Sequence, residues 1–406
     1  MIRLFAVAAV FLAASSTATA QEFFLKPGKV LFLGDSNTYA GAFVAYVDAY
    51  LASRFPDRKY ELINMGLPSE TVTGLSEKDH PWPRPDVHER VQRALDKIKP
   101  NYVVVCYGMN DGIYHPFSAD RFEKYKQTMQ SLLEKIRKAG AQPIVMTPCP
   151  FDPMPLKGKT RPKDADDFSY RAPYEGYDEV LTKYSEWLVS LRSKDLHVAD
   201  AHSAIVEFLA EVRAKEPKYF ISGDGIHPNP TGHAIVAFTL LKTLNAPGEL
   251  GSAEIPAGKE SVKAEVKIPM PSLVRHAYYC RQSDVDRAWN RWTLKAKIPA
   301  GQNREVVFGG TPVAPYSSED LAKGVTIRAS QLIVLLAKAH SVLELATERE
   351  RLVRHAWLTE VGHKRPDIPK GQPLEKVEPK LREIDREMRA LVQPLAIEVE
   401  LRKLEK

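Results

Sequence analysis

The sequence predicts a three-layer α/β/α sandwich around a five-stranded parallel sheet, followed by a mostly helical C-terminal extension. Three observations carry that expectation. From residue 29 to about 245, short apolar runs alternate with segments of helical periodicity. The apolar runs are continuous rather than alternating, as in strands covered on both faces. After about Ala246 the rhythm changes.

The strands come in order. Val30-Leu31-Phe32-Leu33 ends at Gly34, and Tyr60-Glu61-Leu62-Ile63-Asn64 leads to Gly66. Tyr102 to Cys106, Pro143 to Thr147 and Leu196 to Ala199 follow. Between them, Phe122, Tyr125, Met129, Leu132, Leu133 and Ile136 form one helical stripe, with Gly140 as a natural stop. Tyr177, Leu181, Tyr184, Leu188 and Leu191 form another, and Thr231 to Leu244 closes the unit. Five such alternations argue for right-handed crossovers and helices on both faces.

Beyond this unit, residues 246–270 read as a linker with room for one short strand. Glu305 to Phe308, before Gly309-Gly310, reads as a hairpin strand; Gln331 to Ala356 and Leu374 to Lys406 read as helices. Val377, Leu381, Ile384, Met388, Leu391 and Leu395 repeat at four, three, four, three, four, a packing seam interrupted by Pro379 and Pro394. Packing within the chain is the preferred use of that seam, and a homodimer the alternative. The expected organisation is a signal peptide at 1–20, a catalytic domain at 21–246, and a linker with a mainly helical extension at 247–406.

Composition narrows the class. With 44% apolar and 27% charged residues among 406, the chain can build an ordinary core. A formal charge of +6 without a basic tract argues against a nucleic-acid partner. Arg3, the apolar stretch Leu4 to Ala14 and the exit Ala18-Thr19-Ala20 have the layout of a cleaved secretory signal. No later apolar run is long enough for a membrane span, so an exported, soluble protein of the periplasm or exterior is expected. Cys106 and Cys149 read as buried, and Cys280 is remote from both; neither a disulfide framework nor a metal site is expected, and no cofactor.

Chemistry concentrates at strand ends. Ser36 follows the first strand behind Gly34-Asp35, where the carboxyl edge of an open sheet forms a ligand crevice. Asn64-Met65-Gly66 ends the second strand, Gly108-Met109-Asn110-Asp111 the third, and Asp224-Gly225-Ile226-His227-Pro228 precedes the last helix. A serine hydroxyl needs an imidazole to take its proton, and the imidazole needs a carboxylate to fix its tautomer. Ser36, His227 and Asp224 supply that set. The N–H groups of Ser36 and Gly66, with the Asn110 amide, would stabilise a tetrahedral oxyanion.

Gly34-Asp35-Ser36, Asn64-x-Gly66, Gly108-x-Asn110-Asp111 and Asp224-x-x-His227 resemble, in order, the four blocks of the SGNH (GDSL-like) hydrolase superfamily. The resemblance covers residues 29–245. It implies a flavodoxin-like sandwich, metal-independent cleavage of esters or thioesters, and the superfamily's Ser, Gly, Asn and His at Ser36, Gly66, Asn110 and His227, with Asp224 as triad acid. Residues 67–75, 83–90, 355–358 and 362–366 further resemble a bacterial subgroup with a C-terminal extension. Small acyl esters, acetyl above all, on a carbohydrate are the expected substrates; the rivals are a lysophospholipase or thioesterase, and a low-activity binding module.

Other residues have competing readings. Tyr39, Trp82 and Tyr114 adjoin the predicted crevice and could stack on a sugar. Asp200 is expected to cap a helix rather than serve as triad acid, with His202 its rival base. Asp35 is expected to order the nucleophile turn. His233 is expected to pack, as are Trp289, Trp292 and Trp357.

Overall fold

The computed structural model describes residues 22–270, 289–328 and 333–404. The proposed signal segment and Cys280 lie outside them.

Five parallel strands, β1 (Gly28–Gly34), β2 (Tyr60–Asn64), β3 (Tyr102–Cys106), β4 (Gln142–Met146) and β5 (His197–Ala199), form one sheet in the order β2-β1-β3-β4-β5. The continuous apolarity has a direct cause. Along β1, Leu31 and Leu33 feed the core on one face, while Val30 and Phe32 feed the core on the other. These side chains are all buried, and truncating one such leucine to alanine typically costs about 2–5 kcal/mol.

Ser36–Tyr39 (α1) and Ala42–Arg54 (α2) follow β1. Val87–Ile98 (α3), Ala119–Lys138 (α4) and Tyr177–Ser190 (α5) cover one face. With α2, Ala201–Arg213 (α6) and Pro230–Thr243 (α7) cover the other. Each predicted strand and stripe is therefore present. The strand order reverses direction between β1 and β3, so a crevice opens at the carboxyl ends of those strands.

The extension differs from its prediction. Residues 246–270 are not a linker: they hold β6 (Glu249–Ile255) and β7 (Ser261–Val266). With β8 (Arg291–Ala296), β9 (Asn303–Phe308), β10 (Thr311–Ser317), β11 (Val325–Arg328) and β12 (Leu395–Lys403), they build the sheets β10-β9-β12-β7 and β11-β8-β6. Polar and apolar residues alternate in β7, so Val262, Ala264 and Val266 share one face while Ser261, Lys263 and Glu265 are exposed on the other; Val266 joins a core with Phe308, Val399 and Leu401. The predicted helix from Leu374 ends at Leu391, and Leu395 begins a strand.

Among the described residues, the helices of the extension are α8 (Ser318–Lys323), α9 (Ile333–Val361) and α10 (Leu374–Leu391). The seam residues Ile384 and Met388 pack with Ala45 and Ala49 of α2 and with Val342 and Ala346 of α9. Arg54, at the end of α2, is buried and donates to Ile268 O at 2.6 Å and Asn290 Oδ1 at 3.0 Å. Trp289, Trp292 and Trp357 all pack into cores. No helix of the described residues is long and apolar enough to cross a membrane.

Candidate active site

Three of the predicted residues meet directly. His227 Nε2 lies 2.8 Å from Ser36 Oγ, and His227 Nδ1 lies 2.6 Å from Asp224 Oδ2. The carboxylate can only accept, so Nδ1 carries the proton and Nε2 faces the serine hydroxyl as acceptor.

The local chain explains the placement. Asp35 caps α1, its Oδ1 accepting the Asn37 N–H at 2.9 Å, and Ser36 opens the helix where backbone N–H groups lack intrahelical partners. Burial raises the Asp35 carboxyl to about 6, against the Asn37 hydrogen bond. On the other side, Asp224 Oδ1 accepts from Ser222 Oγ, the Ile226 N–H and the His227 N–H at 3.0, 3.0 and 2.8 Å. Partial burial disfavours the Asp224 anion, but the hydrogen bonds and charge of His227 outweigh it and hold the carboxyl well below its usual range. Burial likewise pulls His227 down, and Asp224 overcomes it, leaving the imidazole above its ordinary value.

The expected oxyanion donors lie close by but are unequally free. Gly66 backs onto α1 so closely that a Cβ would overlap Tyr39 N. Its N–H donates to Asn64 Oδ1 at 2.8 Å, so in the resting site that donor is engaged. Asn110 Nδ2 gives one hydrogen bond to Glu70 O at 3.2 Å, leaving the amide's second N–H, while Asn110 Oδ1 accepts from Tyr114 OH at 2.9 Å.

Tyr114 therefore occupies a place the sequence did not suggest. It is 2% exposed and stacked on Tyr177, with no free face for a sugar; it holds the Asn110 amide instead. Ile113 and Tyr114 both take positive φ, 46° and 60°, a strained turn that delivers the hydroxyl to Asn110. Tyr39 and Trp82 are half-buried. Tyr39 OH lies 3.3 Å from His355 Nε2, and the Arg365 guanidinium sits 5.2 Å from the Trp82 ring centroid.

The rivals fall away from this centre. Asp200 caps α6, accepting the Ser203 N–H at 3.1 Å, and His202 pairs with Asp178 at 3.1 Å. His233 is buried and stacked against Phe43; burial lowers it to about 4.

Sequence reasoning missed the support beneath Asn110. Arg90 donates to both oxygens of Glu70 at 2.6 Å and to Met65 O at 2.6 Å, and Tyr107 OH donates to Glu70 Oε2 at 2.5 Å. Buried ions need such pairing. The segments 67–75 and 83–90 that hold Glu70 and Arg90 stood out only for their resemblance to a bacterial subgroup; nothing in them marked the pair.

The match to known proteins agrees with this geometry. Residues 32–235 match the model of the GDSL-like Lipase/Acylhydrolase family. The chain belongs to that family. It is a carboxylic ester hydrolase of the SGNH type, an esterase acting on acyl esters. An acetylxylan esterase from Geobacillus stearothermophilus is 24% identical over 242 residues, 53% of this chain and 93% of that protein. A gut microbial diltiazem-metabolizing enzyme shares the fold with a TM-score of 0.65 at 17% identity, over 95% of this chain and 99% of that one. A variant of a Geobacillus acetyl-xylooligosaccharide esterase aligns at a TM-score of 0.41 and 21% identity, over 55% of this chain and 96% of its own. Among these, the likeness of this GDSL-family chain to the diltiazem-metabolizing enzyme extends through the C-terminal extension.

Proposed function

We propose that this esterase is exported and removes small acyl groups, acetyl above all, from a carbohydrate, using Ser36, His227 and Asp224 as a triad. The observation that carries the mechanism is the unbroken relay from Asp224 Oδ2 through the imidazole to Ser36 Oγ. Ser36 Oγ attacks the acyl carbon while its proton passes to His227 Nε2. The oxyanion takes hydrogen bonds from the Ser36 N–H and the second Asn110 N–H, and from Gly66 once its N–H is shared away from Asn64. Collapse expels the sugar hydroxyl, which takes the proton from His227. Water, deprotonated by the same imidazole, then hydrolyses the acyl-Ser36 ester.

The acetylated-carbohydrate reading is supported by the acetylxylan esterase relative, whose length is almost wholly matched, and by Tyr39 and Trp82, half-buried aromatic rings in the segments after Ser36 and Gly66. Export is supported by the signal-like pattern of residues 1–20.

Hydrolysis of p-nitrophenyl esters of increasing acyl length, and acetate release from acetylated xylo-oligosaccharides, test it. The acetate ester is expected to give the highest kcat/KM. Ser36→Ala should lower kcat by roughly 10⁴-fold or more. Preference for long acyl chains would instead indicate a lysophospholipase or thioesterase. Saccharide binding without turnover in the wild type would indicate a binding module.

A further inference from the structure

The strand-end blocks supply the reacting groups, yet other residues hold the two loops that carry them. Helix α9 of the extension runs alongside β2 and α2, and Glu350 and Arg354 stand one turn apart on it. Glu350 Oε1 accepts from Asn64 Nδ2 at 2.6 Å. The same nitrogen donates to Thr38 O at 2.7 Å, and Asn64 Oδ1 accepts the Gly66 N–H at 2.8 Å. A backbone carbonyl only accepts and a backbone N–H only donates, so Thr38 O and the Gly66 N–H admit one orientation of the Asn64 amide, with its nitrogen toward Glu350.

Arg354 grips the other loop. Its Nη1 donates to Tyr39 O and to both Glu350 oxygens, at 3.1 and 3.2 Å, and its guanidinium lies 4.5 Å from the Tyr39 ring centroid. The chain makes room for this contact at Gly41, where φ is 81° and a Cβ would overlap the Glu350 carboxylate. Glu350 and Arg354 are only 6% and 7% exposed. A buried ion pair is a poor source of net stability, because desolvation offsets its attraction; what it gives is fixed geometry.

We propose that Glu350 and Arg354 are positioning residues of the catalytic centre. They lock the turn at 64–66 and the nucleophile helix at 36–39 into one register, so the C-terminal extension completes the active site. The inference rests on Ser36 as nucleophile, and its test separates the two.

In the full chain, kcat and KM for p-nitrophenyl acetate, melting temperature and amide hydrogen exchange are compared for wild type, Glu350→Ala, Glu350→Gln, Arg354→Lys and Arg349→Met. The last is a control on the neighbouring residue, which pairs with Asp48 and Asp385 rather than with the catalytic loops. Glu350→Ala is expected to lower kcat roughly 10- to 100-fold with KM within about twofold, the size of effect that sub-ångström misplacement produces. Exchange should quicken at residues 36–41 and 64–67. Glu350→Gln, which keeps an acceptor for Asn64, should recover part of kcat, and Arg354→Lys should lose it. Arg349→Met should lower the melting temperature with kcat unchanged. A folded Glu350→Ala with wild-type kcat and wild-type loop exchange would overturn the proposal, as would an equal loss of kcat in Arg349→Met. If Glu350→Ala does not fold, wild-type kcat and loop exchange in both Glu350→Gln and Arg354→Lys overturn it equally. If the wild type cleaves no ester but the loops still loosen in the variants, the reading of Ser36 fails and the clamp stands.

Discussion

Two sets of carboxylates surround the crevice, and they live in opposite environments. Asp224 lies on the loop before α7 with its side chain 54% exposed, whereas Asp35 and Asp111 lie in the floor, 2% and 0% exposed. Asp224 takes four hydrogen-bond contacts from Ser222, Ile226 and His227, and it is held as an anion. Asp111 accepts the Val72 and Thr73 N–H groups on one oxygen, while its other oxygen has no partner. Burial pushes it up to about 7. The same functional group thus serves two purposes. On the rim it is a charged orienter of the base; in the floor it is a turn-builder whose charge is a liability.

Substituting the rim carboxylate should have the larger effect. Asp224→Asn is expected to lower kcat by about 10²- to 10⁴-fold, because the imidazole loses both its fixed tautomer and its counter-charge. The pH profile gives a second signature. As the proposed base, His227 must be neutral, and its pKa is raised, so activity is expected to be lost as pH falls through a value above the ordinary histidine range. In Asp224→Asn that inflection should move to lower pH; an unmoved inflection would break the assignment.

Between rim and floor stands Tyr114. Tyr114→Phe leaves Asn110 Oδ1 without its donor and frees the amide to turn. A fall in kcat of about tenfold is expected, with a loss of about 1–2 kcal/mol of stability on denaturant unfolding. Unchanged kcat would return Tyr114 to simple packing.

The smallest effect, and one of opposite sign, belongs to the floor. A carboxyl raised from its unfolded value to about 7 stabilises the fold at acid pH, and that contribution is lost as pH rises through 7. Asp111→Asn keeps an acceptor for Val72 and Thr73 and removes the charge. It should therefore be stabilised relative to wild type at pH 8, by on the order of 1 kcal/mol, and indistinguishable or weaker at pH 5. Melting temperatures at the two pH values decide this; equal shifts at both would show that Asp111 carries no buried charge.

Much of the centre was legible in the chain. Ser36, Asn64, Gly66 and Asn110 sit at or just beyond strand ends that follow from strand periodicity, and Asp224 and His227, three residues apart, precede the last helix of the sandwich. The sandwich was legible for the same reason, since a strand buried on both faces writes its burial as an unbroken apolar run. In the extension, the hairpin strand before Gly309-Gly310 was legible and is β9, paired with β10; most of the others were not. Such strands are short and only one face is apolar, as in β7, which becomes a strand by pairing with β12, whose Val399 meets Val262 across more than a hundred residues. Tyr114 was misplaced because an aromatic beside a catalytic block reads alike whether it faces solvent or the amide beneath it.

Local patterning in the chain was enough to give the layered sheet, the order of the four blocks and the residues expected around Ser36. These are local properties: periodicity fixes elements, and strand ends fix where polar loops gather. Folding settles which donors are free and which carboxylates are buried, and brings Glu350 and Arg354 to Asn64 and Tyr39 from about three hundred residues away. Those outcomes depend on burial and on contacts between distant segments, and no short stretch of sequence encodes either.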